Sequence, residues 1–125
     1  MKKVIYTDNA PKAIGPYSQA IEANGMLFVS GQIPINPQTG ELSNGTIQEQ
    51  TKLVMDNIGA ILKAAGYGYE NIVKTTCLLA DISDFADMNK VYAEYFKENP
   101  PARSSFAVKD LPKGARLEIE VMAAK

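Results

Sequence analysis

The chain has 125 residues, 46% of them apolar, with 13 basic and 14 acidic side chains, a net charge of −1 and no histidine. That length suits one domain with a sizeable core, read here as a single unit over residues 1–125, and the balanced charge indicates neither disorder nor a nucleic-acid field. The chain has no histidine and its one cysteine lies in an apolar run, which together exclude histidine triads, zinc sites and Cys–His nucleophile pairs, so any acid–base chemistry must come from Glu, Asp, Lys or Tyr.

Residues 3–6 are short and apolar and read as an edge strand, running on into Tyr6-Thr7-Asp8-Asn9 without the apolar core of a signal peptide. Asp8–Pro16 is a loop broken by Pro11, Gly15 and Pro16. Tyr17–Ala23 and Met26–Gly31 are β-like runs, and Asn24-Gly25 between them predicts a type I′ hairpin, which needs positive φ at both turn positions. Gln32–Gly45 holds Pro34, Pro37, Gly40 and Gly45 with no sustained period, and a loop this long is usually functional or ordered by a partner.

Thr46-Ile47-Gln48-Glu49 has the form of a capping box. The helix it opens runs to about Ala65, with Val54, Ile58, Ile61 and Ala65 on one stripe and Gly66 as the stop. Asn71–Ala80 reads as a strand, with Val73, Cys77 and Leu79 on one face and Ile72, Leu78 and Ala80 on the other, so it should be covered on both sides. Ser83 or Asp84 opens a second helix whose stripe is Phe85, Met88, Val91, Tyr92, Tyr95 and Phe96. It stops before Pro100-Pro101.

Beyond those prolines, alternation puts Arg103, Ser105 and Ala107 on one face of a strand and Ser104, Phe106 and Val108 on the other. In the last segment Leu117, Ile119 and Val121 oppose Arg116, Glu118 and Glu120. If the two strands pair across a turn at Leu111–Ala115, Arg103 shares a sheet face with Glu118 and Glu120; two surface strands with solvated charges are the plainer reading. Two helices and about six strands predict an α+β domain with both helices on one face of the sheet. The other face carries apolar residues such as Met26, Phe28, Val73 and Cys77, which points to an oligomer whose subunits shield it. Cys77, the single cysteine, reads as core and suits a reducing compartment. No stretch approaches the length of a membrane span, and the expected location is cytoplasmic.

The chain resembles the Rid family, the YjgF-type reactive intermediate deaminases, in stretches that run nearly end to end. They include Ile14-Gly15-Pro16-Tyr17-Ser18-Gln19-Ala20, Ser30-Gly31-Gln32-Ile33-Pro34, Asp56-Asn57, Val73-Lys74-Thr75-Thr76, Pro101-Ala102-Arg103-Ser104 and Glu118-Ile119-Glu120. The resemblance implies a chorismate-mutase-like fold, with a six-stranded mixed sheet, and a homotrimer with sites between subunits. It implies hydrolysis of 2-imino acids, formed from enamines such as 2-aminoacrylate, to 2-keto acids and ammonia, without metal or organic cofactor. Its site residues match Tyr17, Ser30, Asn89, Arg103 and Glu118 here. The chain departs from the family at Ser105, where cysteine is common.

On that reading Arg103 binds the substrate carboxylate through its planar fork, and Glu118 positions and deprotonates a water. Glu120 is left as an ion-pair partner for Arg116 or for a basic group across the interface. Ser105 contributes its backbone carbonyl, its side chain filling space. Tyr17 either donates a hydrogen bond or is an aromatic packed at an interface. Ser30 and Asn89 are pocket polar groups on the family match, and turn or helix-surface residues without it. Two alternatives use other chemistry: an endoribonuclease or translation inhibitor, against which the charge and missing histidine argue, and a carboxylate-binding module or holdase without turnover.

Overall fold

The computed structural model describes residues 1–125. Its strands are β1 (Lys3–Ile5), β2 (Ala20–Ala23), β3 (Met26–Gln32), β4 (Ile72–Leu79), β5 (Ala102–Ala107) and β6 (Leu117–Ala124), with α1 (Ile47–Ala64) between β3 and β4 and α2 (Phe85–Ala93) between β4 and β5. They form one sheet in the order β1-β2-β3-β6-β4-β5. Every pairing is antiparallel except β4 with β5, whose parallel register requires the crossover that α2 supplies. The sheet is therefore mixed, with six strands and two helices, as expected.

Local chemistry sets the first boundaries. Asn24 and Gly25 turn at φ of 52° and 74°, as the hairpin requires. Thr46 Oγ1 accepts from Glu49 N–H at 3.1 Å while Glu49 Oε1 accepts from Thr46 N–H at 2.8 Å, completing the capping box. Gly66, at φ 81°, ends the helix.

One sheet face carries the core. Val29, Leu117, Ile119, Val121 and Cys77 are buried in one cluster with Val54, Ile58 and Ile61 of α1 and Met88 and Tyr92 of α2. Burying such aliphatic side chains stabilises the fold by about 1.5–3 kcal/mol each. The opposite face is open and carries exposed Val4, Phe28 and Phe106.

Four expectations need correction. The second strand begins at Ala20, because Gly15-Pro16 keeps Tyr17 in the loop before it. In β4 an extra residue enters the ladder between Ile72 and Lys74, so Val73 bulges outward at 46% exposure while Ile72, Thr75, Cys77 and Leu79 turn to the core. Cys77 thus belongs to the covered face. α2 stops at Ala93, and Tyr95 and Phe96 pack from the following turn, their rings 5.2 Å from Tyr69 and 4.8 Å from Tyr92. Finally, β5 and β6 do not pair: β4 lies between them.

Candidate functional site

A β-bulge builds the first half of the site. Val29 pairs with Val121 and Gln32 with Ile119, so three residue steps on β3 face two on β6 and the extra length falls at Ser30-Gly31. The bulge turns Gln32 toward the core, where it is buried, and brings Gly31 against the Glu118 side chain. Ser30 Oγ donates to the Ser18 carbonyl at 2.6 Å, tying the bulge to the loop that carries Tyr17. Tyr17, Ser30, Gly31 and Glu118 line one cavity of about 740 Å³, together with Lys12, Ile14 and Lys113. Lys113 holds a left-handed φ of 58°, a conformation costly for a residue other than glycine and common at binding sites.

Glu118 is half-buried, and burial, reinforced by the Glu120 charge, pushes its carboxyl above the usual carboxylate range. A carboxylate so placed is a stronger base than one in water.

The second half lies around Arg103. Its Nη1 donates to Asn89 Oδ1 at 2.7 Å, and its guanidinium lies 4.8 Å from the centre of the Tyr92 ring and 5.4 Å from that of Phe85. Tyr92 is in turn fixed by a 2.8 Å hydrogen bond with Thr75 Oγ1. With one donor used on Asn89, the guanidinium keeps its other N–H groups for an anion. Arg103 and Asn89 border a shallow hollow of about 420 Å³ with Tyr92, Phe96 and Pro101. Phe85 and Tyr92 were legible only as members of an apolar helix stripe, and nothing local marks them as the bed of a guanidinium.

The structure overturns the expected shared face of Arg103 and Glu118. Arg103 sits beside Thr75, which pairs with buried Val121, so it projects to the side the helices cover. Glu118 sits beside Leu78, whose other neighbour is exposed Phe106, so it projects to the open side. Within one chain the fork and the carboxylate are on opposite faces. Tyr17, Ser30 and Glu118 come together; Arg103 and Asn89 come together; the two groups do not meet. Glu120 lies on the open face, paired with Thr76, and makes no ion pair in this chain; Arg116, its expected partner, bonds Asp84 at 2.9 Å instead.

Ser105 shares the Arg103 face, directly beside Cys77. Its Oγ is enclosed and has no hydrogen-bond partner in the chain. Cys77 is 1% exposed, and burial pushes its thiol above the usual range against the opposing pull of the Arg103 charge. No group of His, Cys, Asp and Glu side chains is arranged to hold a metal ion, and no helix is long and apolar enough to cross a membrane.

Comparison with known proteins agrees with this architecture. The human protein named 2-iminobutanoate/2-iminopropanoate deaminase is 50% identical over 123 residues, covering 98% of this chain and 90% of its own length. A Rid-family protein of unknown function from Yersinia pestis superposes with a TM-score of 0.98 at 53% identity, over the full length of both chains. The structure of E. coli TdcF with bound serine matches with a TM-score of 0.94 at 44% identity, over 98% of each chain. The model of the family described as Endoribonuclease L-PSP matches residues 7–125. The chain therefore belongs to that family, the Rid or YjgF-type family that its motifs resemble.

Proposed function

We propose that this protein hydrolyses 2-imino acids, which form from enamines such as 2-aminoacrylate, to 2-keto acids and ammonia, at sites completed between subunits of a homotrimer. The observation that carries the reading is the split site: a carboxylate-binding fork on one face of the sheet and a base of raised pKa on the other. Neither half is sufficient for the chemistry. A neighbouring copy that lays its Arg103 hollow against the Glu118 cavity supplies both, and at the same time covers the apolar open face. The 50% identity to a protein named for this reaction, and the amino acid bound by a relative of the same fold, support the substrate class.

The carboxylate of the imino acid pairs with Arg103, whose remaining donors suit two parallel charge-assisted bonds. Glu118 takes a proton from water as the oxygen attacks the C=N carbon and passes it to the nitrogen, giving the carbinolamine. In its collapse Glu118 takes the hydroxyl proton and delivers it to the nitrogen, so that the C–N bond breaks, ammonia leaves and the carbonyl of the keto acid forms. The C=N carbon is already electrophilic, so the scheme calls for no cofactor. Tyr17 and Ser30 border the space in which the water and the nitrogen would lie.

The test is ammonia release from an imino acid generated in situ, with and without protein. Acceleration by the native chain, lost in Arg103→Ala and Glu118→Gln, is expected. No acceleration by the native chain overturns the reading, and a monomeric mass by light scattering overturns the shared site. The family's description as an endoribonuclease raises a ribonuclease alternative. Degradation of RNA that survives removal of contaminants and is lost with Glu118→Gln would favour it.

A further inference from the structure

We propose that Gln19 is the positioning residue of the Glu118 cavity, its side-chain amide holding the 8–18 loop, and with it Tyr17, in place. The proposal rests on reading that cavity as part of the deaminase site. Loop residues Pro11, Lys12, Ile14 and Tyr17 form one wall of the cavity. Yet residues 8–18 contain a single internal backbone hydrogen bond, from Tyr17 N–H to the Gly15 carbonyl at 2.9 Å. Pro11 and Pro16 have no N–H to offer. Such a loop needs its order from elsewhere.

Gln19 supplies it. The residue is 2% exposed, and its side-chain amide bonds with both ends, to Thr7 just before the loop and to carbonyls within it. Oε1 accepts from Thr7 N–H at 2.8 Å. Nε2 donates to the carbonyls of Thr7 at 3.0 Å and Pro11 at 2.9 Å, with Ala10 more distant at 3.4 Å. The main chain of the same residue closes the other side, its carbonyl accepting from Ser30 N–H at 2.9 Å. One residue thus joins the start of the loop to the bulge at Ser30-Gly31. Glutamine is specifically suited, because its amide pairs one acceptor with two donors. An ionised glutamate would face three carbonyl oxygens with no proton to share; a protonated one could donate once.

The test compares the native protein with Gln19→Glu and Gln19→Met by hydrogen exchange over residues 7–18, by melting temperature, and by kcat and KM on an imino acid generated in situ. Faster exchange confined to the loop is expected in both variants at neutral pH, with kcat/KM lowered by about tenfold or more at temperatures where each is folded. Gln19→Glu should regain protection and activity, relative to native protein at the same pH, as the pH falls and its carboxyl protonates; Gln19→Met should not. Native loop protection in Gln19→Met, or activity loss that tracks only the unfolded fraction, overturns the proposal. If the native protein released no ammonia, the reading of the site would fail, while the exchange comparison would still decide what Gln19 does.

Discussion

Gly31 passes so close to Glu118 that a methyl group at residue 31 would overlap the carboxylate oxygen Oε2 and stand 2.8 Å from the carboxyl carbon. The backbone of Gly31 has ordinary negative φ, so the constraint is space and not conformation. Gly31→Ala should therefore displace the Glu118 side chain while leaving the fold intact. We expect kcat to fall at least about tenfold with a melting temperature within a few degrees of native. Native kcat in this variant would show that the Glu118 rotamer does not matter.

Glu118 itself should lower stability in return for reactivity. Its carboxyl titrates above the usual range because burial, then the Glu120 charge, disfavour ionisation. The folded chain therefore holds a proton that the unfolded chain, with a value of about 4.3, has released. Stability falls as pH rises through that window and stays lowered above it. Glu118→Gln should raise the melting temperature at pH 7–8, with a gain that vanishes toward about pH 4, while turnover is lost. A thermal scan across pH checks this; a pH-independent difference would remove the electrostatic cause.

Arg103→Lys should lose most of kcat/KM, by about 100-fold, because a point charge replaces a planar fork that is also stacked on Tyr92 and bonded to Asn89. Asn89→Ala should raise KM more than it lowers kcat, since it frees a guanidinium that remains chemically intact. Steady-state kinetics on a small imino acid checks both. Near-native kcat/KM in the lysine variant would defeat the fork argument.

Ser105→Ala removes an enclosed hydroxyl that has no partner, so it should cost no stability and keep activity within about tenfold. Ser105→Cys should behave likewise. Alkylating reagents should leave the native protein active because Cys77 is buried. Loss of several orders of magnitude in Ser105→Ala alone, with Ser105→Cys active, would place a side-chain heteroatom in the chemistry.

What was legible in the sequence was local. Asn24-Gly25, the Thr46–Glu49 box and the stripes of α1 and α2 each declare themselves through neighbours in the chain, and the motifs around Tyr17, Ser30, Arg103 and Glu118 marked the residues to watch. Long-range pairing was not legible. The short Leu111–Ala115 connection looks like a hairpin turn, yet β4 inserts between the strands it joins. Alternation says which residues of one strand share a face, but not which face that is. Exposed Phe106 and core-side Arg103 invert the usual expectation. The bulges at Ser30-Gly31 and Val73 each shift the alternation by one residue; Gly31 inside a strand run is a local sign of the first, while nothing local announces the second.

The opposite-face geometry also makes the two defects separable. A chain lacking Arg103 keeps its Glu118 cavity, and a chain lacking Glu118 keeps its Arg103 hollow. Inactive Arg103→Ala and inactive Glu118→Gln preparations, unfolded together and refolded as a mixture, should restore each other. With random assembly of equal amounts, about a quarter of the junctions would unite an intact fork with an intact carboxylate. The same two substitutions placed in one chain leave nothing to recombine and should stay silent at any mixing ratio. Ammonia release from the mixture measures this directly, and silence there would mean that each chain works alone.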